Sequence, residues 1–404
     1  MATSNVKNWL VLVLVMSCTI LALAGTDLVL PAVPSLPQAL GGTLSQSQLV
    51  LAAFVAGAGV GLILFGALGA SFDQRNLLII ALISYGLACA AALLVSSLDQ
   101  LIALRFAQGL ASSAPAVFAP GIIRNMFDEQ GAMRAIGLLS SIESLTPAFA
   151  PIAGVWLLAA FDWQASFSVI AVLAITQSVL VFCFRRHIPN VQSTTTGKSY
   201  AALLRNAAYL RQAFSQALTL GALLVFVFGA PAVITQTMGG TLQHFIAMQI
   251  SGIATFIVGA NIAQRLVARF DAEAVIMFGS VLSLLGIAGI TAYAFSGEPD
   301  PRMLPWLFVP MNSGLGLRSP PGFLQALVAA DGDDARGAAL LLLFVLLITG
   351  AGTAMVAPFI EVGLLALASA SLLLSALSIV CLLALKPFAR GAGPRSAAAE
   401  ETDE

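Results

Sequence analysis

The chain of 404 residues is 59% hydrophobic and 9% charged, with a net charge of −1 and a mean hydropathy of +0.96. Soluble domains carry about 25% charged residues, so a water-soluble fold is excluded and the composition is that of a multi-span membrane protein. A near-zero charge without a basic, aromatic-interleaved stripe argues against nucleic acid as a partner.

The first apolar run follows "MATSNVKN" and is of span length, which reads as a retained span and not a cleaved signal. A bilayer core about 30 Å thick needs roughly 20 apolar residues as helix. Such runs fall at 9–31, 48–70, 76–96, 101–123, 134–160 and 164–184, then at 214–236, 243–264, 274–296, 303–329, 337–360 and 362–385. Pro305, Pro310, Pro320 and Pro321 interrupt the tenth, and Ser319-Pro320-Pro321 is expected to break its helix. The four cysteines (Cys18, Cys89, Cys183 and Cys381) lie inside these runs without metal-ligand spacing and read as small buried hydrophobes. No cofactor is implied.

Loop lysines and arginines set the orientation. With the N-terminus inside, they fall on the cytoplasmic side from Lys7 and Arg75 through Arg205 to Lys386 and Arg395, and only Arg302 sits in an outer loop. Both termini are therefore expected in the cytoplasm. The interval 185–213 reads as a cytoplasmic linker, and its "SYAALLRNAAYLRQ" as an amphipathic helix on the inner membrane face.

A faint internal repeat divides the chain. "ASFDQRNLLI" (70–79) matches "ARFDAEAVIM" (268–277), and "DEQGA" (128–132) matches "DARGA" (334–338), at equivalent places between spans. The expected fold is all-α: twelve transmembrane helices in two pseudo-symmetric six-helix bundles, 1–184 and 214–390, with a disordered tail at 391–404.

Four ionisable residues lie within spans: Asp27, Arg105, Glu143 and Arg318. Each is costly there unless paired or hydrated, and such residues mark pathways by default. At 1.5 Å per residue, Asp27 and Arg105 come to similar depth, and Glu143 lies about 13 Å up the fifth span. An Asp27–Arg105 contact that parts on conformational change would let the carboxylate take a proton. A Glu143–Arg318 pair across a central cavity is expected to bind a polar substrate, to release on protonation, or to be a fixed interhelical salt bridge. His187 and His244 lie outside the span interiors without a metal-ligand set.

These segments resemble the major facilitator superfamily, in particular its twelve-span drug:proton antiporters of the bicyclomycin/chloramphenicol-resistance group. The likeness rests on "TDLVLPAVP" with Asp27, "LIALRFAQGLASSA" with Arg105, Gln108 and Gly109, "IIRNMF" with Arg124, and "TPAFAPIAG" with Pro147, Pro151 and Gly154. The resemblance implies a proton-linked polar cluster of Asp27, Arg105 and Gln108, and a fifth span whose prolines and glycine allow bending and close packing between the halves. It also implies an inner-gate latch after the second span. Here that loop, "GALGASFDQRNLL", keeps Arg75, has Ala70 at the acidic position and offers Asp73 nearby.

The expected function is proton-coupled export of small organic molecules across a bacterial inner membrane, by a chain that works as a monomer. No nucleotide-binding loop is present to suggest ATP as the energy source. A dedicated transporter of one polar metabolite is the alternative. An enzyme is not expected, because no catalytic cluster is visible.

Overall fold

The computed structural model describes residues 2–191, 199–297 and 299–385. It contains twelve long helices: α1 (Ala2–Asp27), α2 (Leu44–Ser71), α3 (Gln74–Ala91), α4 (Leu98–Met126), α5 (Glu129–Ala160), α6 (Ala165–Phe184), α7 (Ala207–Ala232), α8 (Leu242–Phe270), α9 (Ala272–Ala294), α10 (Leu304–Ala329), α11 (Asp334–Val356) and α12 (Leu364–Ala384). The expected tail at 391–404 lies outside the described residues, as does Lys198.

Polar caps fix where many of these helices begin, because the first N–H groups of a helix lack intrahelical partners. Asp73 accepts from the N–H of Arg75, Asp128 from Gly131, Asn206 from Ala208 and Tyr209, and Asp271 from Ala274. Asp73 and Asp271 are the matched aspartates of the internal repeat, so that repeat corresponds to a shared helix-start device.

Eleven of the helices are long and apolar enough to cross a membrane. The other, α10, has the length at 26 residues, but its prolines, glycines and Arg318 dilute it. The expected break at Ser319-Pro320-Pro321 does not occur. The helix runs through Pro310, Pro320 and Pro321, held by close neighbours on two sides. A Cβ on Gly316 would meet the Phe256 carbonyl oxygen of α8 at 2.3 Å, and one on Gly314 the Gly279 carbonyl oxygen of α9 at 2.4 Å. Packing at backbone distance outweighs the local preference of proline.

Helices α1–α6 and α7–α12 form two groups with matching internal neighbours. In the first, α2 packs along α4, α3 touches α4 and α6, and α1 touches α4, α5 and α6. In the second, α8 packs along α10, α9 touches α10 and α12, and α7 touches α10, α11 and α12. The α2–α4 seam depends on glycine: a Cβ on Gly57 would sit 2.0 Å from the Phe106 carbonyl oxygen, and one on Gly109 1.9 Å from that of Phe54. Small residues of this kind let helices approach where lipid offers no hydrophobic drive.

The halves meet through α2 with α11 and α5 with α8. Among the described residues, the side-chain hydrogen bonds joining them lie in the half of the bundle near the face that carries the N-terminus and most loop arginines, here the basic face. Arg134 Nε donates to Gln264 Oε1 at 2.9 Å, Asn261 Nδ2 to Ser141 Oγ at 3.0 Å, and Arg124 Nη1 to the Leu327 carbonyl at 3.3 Å, while Tyr200, in the short helix before α7, donates to the Ile63 carbonyl at 2.7 Å.

Two expectations are corrected here. The stretch 199–212 is not one surface helix, because Tyr200–Arg205 is a short helix and Ala207 already starts α7. Tyr209 and Arg211 are buried, so this segment is packed and not laid on a membrane face. Cys18 and Cys89 are buried as expected, but Cys183 is exposed and Cys381 only half-buried.

Candidate functional site

The first polar site forms where α1 ends. An α-helical bond would take the Val29 N–H to the Gly25 carbonyl, but Val29 donates to Thr26 instead, as the chain tightens into the turn at Leu30–Ser35. The Gly25 carbonyl is thereby free, and Arg105 takes it: Nη1 donates to it at 3.2 Å, and Nε donates to the Val50 carbonyl at 3.3 Å. Nη1 also reaches Gln108 Oε1 at 3.0 Å, while Gln108 Nε2 donates to the Ala88 carbonyl at 3.0 Å. Phe54 lies 4.3 Å under the guanidinium, whose face it attracts by its ring quadrupole. Arg105 and Gln108 are both wholly buried.

Asp27 is two residues from this grip and outside it. It is half-buried and has no hydrogen bond or ion pair among the described residues. The expected Asp27–Arg105 contact is therefore corrected: the arginine binds the backbone of α1, not its carboxylate. Tyr85, which the sequence did not single out, fills the space beside Gly25, and its buried hydroxyl has no partner among the described residues. An aromatic hydroxyl inside a span was the available signal.

Glu143 and Arg318 do not pair either. Glu143 is half-buried on α5, beside Thr19 of α1. Arg318 is wholly buried inside the second half. Its Nη1 donates to the Ser215 carbonyl at 3.0 Å, to Ser378 Oγ at 3.0 Å and to Thr219 Oγ1. These partners belong to α7 and α12, so the side chain is turned away from α5. Ser215, Thr219 and Ser378 were also missed in the sequence, where single hydroxyls within apolar runs look like packing residues.

At the basic face, Asp73 pairs with Arg75 at 2.7 Å and with Arg185 at 3.4 Å, all within the first half. The Arg75 side chain is the main cause holding the Asp73 carboxyl below the usual carboxylate range. Among the described residues, the halves are joined by an ion pair elsewhere: Arg124 at the end of α4 meets the buried Asp334 at the start of α11, and also donates to the Leu327 carbonyl at 3.3 Å. Asp333, which caps α11, is itself paired to Arg336 at 2.7 Å. Asp334 was visible only as one letter of the repeat.

Pro147 and Pro151 sit in the unbroken helix α5. Gly154 packs against the first half, not across the interface: a Cβ there would meet the Leu28 carbonyl oxygen at 2.4 Å.

Residues 15–343 match the family model described as Major Facilitator Superfamily. A bicyclomycin resistance protein homolog of Haemophilus influenzae is 24% identical over 268 residues, covering 65% of this chain and 67% of the relative. A chloramphenicol resistance protein of Pseudomonas aeruginosa is 26% identical over 265 residues, covering 64% of this chain and 62% of that protein. The chain thus spans about two thirds of the length of these curated relatives. Among solved structures, the transporter FucP in its outward conformation superposes with a TM-score of 0.74 at 15% identity, over 95% of this chain and 100% of that one. The helices, their paired halves and the family match agree: this multi-pass membrane protein belongs to the Major Facilitator Superfamily of transporters.

Proposed function

We propose that the protein exports small organic molecules from a bacterial cytoplasm in exchange for protons, across the inner membrane and by alternating access. One observation carries the reading. The two carboxylates in its spans, Asp27 and Glu143, have no cationic partner among the described residues, while both span arginines hold carbonyls and hydroxyls. A carboxylate can shed its charge by taking a proton; a guanidinium cannot. Asp27 and Glu143 are therefore the proton sites, with Arg105 and Gln108 setting the geometry of the α1 end.

In this reading the basic face is cytoplasmic, in line with the loop charge bias. The side-chain hydrogen bonds between halves near that face correspond to a state closed to the cytoplasm, with α1–α6 and α7–α12 as the moving bodies. The drug-resistance relatives support organic molecules as the cargo class, and one chain, carrying both halves, acts alone.

The test uses protein in liposomes with a trapped pH dye, challenged with lipophilic cations and chloramphenicol-like neutral compounds. Substrate-evoked proton flux is expected from the wild type and is lost in Asp27→Asn. Flux that survives in both Asp27→Asn and Glu143→Gln would remove proton exchange through these carboxylates.

A further inference from the structure

The two seams between the halves are built differently. Between α5 and α8, helix side chains bond directly, Arg134 with Gln264 and Asn261 with Ser141. The facing stretches of α2 and α11 have no such groups. Gly59, Gly66 and Gly69 of α2 look onto Leu346, Ala339 and Ala335 of α11. From Leu51 to Ala70, α2 carries no polar side chain, and neither does α11 from Gly337 to Ile348. Contact between such faces is non-directional, and in a bilayer it gains little over contact with lipid. A directional bond in this seam has to be brought by a third element.

Tyr200 brings it. Its helix, Tyr200–Arg205, is mounted on the second half. Leu203 is buried in a cluster with Tyr209 of α7 and with Leu340 and Leu341 of α11. Asn206 Nδ2 donates to the Ala329 carbonyl, at the end of α10, at 2.8 Å. From this mount the tyrosine reaches into the first half, where Oη donates to the Ile63 carbonyl at 2.7 Å. Ile63 lies well before the end of α2 at Ser71, about 12 Å along the axis at 1.5 Å per residue, so the hydroxyl is inserted into the seam and not laid on its rim. Gly66 makes the room: a Cβ there would lie 2.2 Å from Tyr200 Oη and 2.6 Å from the Ala339 Cβ. The hydroxyl, α2 and α11 converge on this one glycine.

We infer that Tyr200 is a strut for alternating access, a role that rests on the function proposed above. It ties α2 to the second half while the basic face is closed and lets go when that face opens. The bond joins two bodies that alternating access moves apart, so it is made in one state only, and its loss favours the other. It has the net worth of one neutral hydrogen bond, which sets the change in the ratio of open to closed protein at about two- to tenfold.

The test compares wild type with Tyr200→Phe, which keeps the ring and removes only the hydroxyl. Hydrogen exchange of the purified full chain in lipid nanodiscs is followed peptide by peptide. In Tyr200→Phe, exchange is expected to quicken about two- to tenfold at the basic ends of α2 and α11 and to slow at their outer ends, because opening one face closes the other. Faster exchange at the basic ends alone would be mere loosening and overturns the inference, as does unchanged exchange at both ends.

The same measurement with tetraphenylphosphonium or chloramphenicol added separates the strut from the reading it rests on. A wild type that responds reciprocally at the two faces, with a Tyr200→Phe protein indistinguishable from it, sinks the strut and leaves alternating access standing. Absence of a reciprocal response in either protein under every condition removes alternating access and the strut with it.

Discussion

Arg105 and Arg318 hold main-chain carbonyls and neutral side chains, not carboxylates, and this decides what single substitutions do. Asp27→Asn removes no contact of the arginine, so the thermal unfolding midpoint should stay near that of the wild type while proton flux is lost. Arg105→Ala is the opposite case. It leaves the buried Gly25 and Val50 carbonyls without these donors, and a charge-assisted hydrogen bond is worth about 1.5–3 kcal/mol. A clear fall in the unfolding midpoint is expected, together with loss of transport. Asp73 gives a pH prediction. Its carboxyl is held low chiefly by Arg75, so its contribution is present above the unfolded value of about 3.9 and is lost as pH falls through the lower folded value. Stability between pH 5 and 8 should therefore be the same in Asp73→Asn and wild type apart from a constant offset. Since Arg185 is 39% exposed, Arg185→Ala should cost less than about 1 kcal/mol; chemical denaturation at several pH values checks both.

At the scale of helices, the number and order of spans were readable because apolar runs of the right length leave few alternatives. Rotation about the helix axis was not. Arg318 turns towards α7 and α12 and not towards Glu143, and no spacing rule in one helix shows which neighbour it will face. The double proline of α10 misled for a related reason: the glycines at its close contacts lie on α9 and α10, far apart in sequence. The repeat pointed to helix starts but missed a shift of one residue, since Asp333 caps α11 and leaves Asp334 for Arg124. The glycine seam makes its own prediction. With 1.9 Å between a Gly109 Cβ and the Phe54 oxygen, Gly109→Ala must push α2 from α4 and should destabilise by about 1–3 kcal/mol. Reduced folded yield in detergent, without change at an exposed control such as Gly289→Ala, would bear this out.

For the whole molecule, the Arg124–Asp334 pair is the charged link between the halves among the described residues. The loop after the second span, where a latch is expected, makes no such link: Asp73 pairs with Arg75 and Arg185 of its own half. Asp334→Asn should weaken closure at the basic face. Spin labels on the basic ends of α2 and α11 should report a longer and broader distance distribution, and the exchange Arg124→Asp with Asp334→Arg should restore the wild-type one. Labels that report the same distribution in Asp334→Asn would show that the remaining hydrogen bonds and helix packing suffice.

The grip of Arg105 on the Gly25 carbonyl also limits how a proton on Asp27 can be felt elsewhere. A peptide carbonyl keeps its dipole whatever the charge on a side chain two residues away, so this contact does not read the proton directly. Under the proposed exchange, protonation of Asp27 would reach α4 through displacement of the end of α1, with the arginine following the backbone it holds. Such coupling would be that of a lever, sensitive to the stiffness of the turn at Leu30–Ser35 as much as to the acid itself.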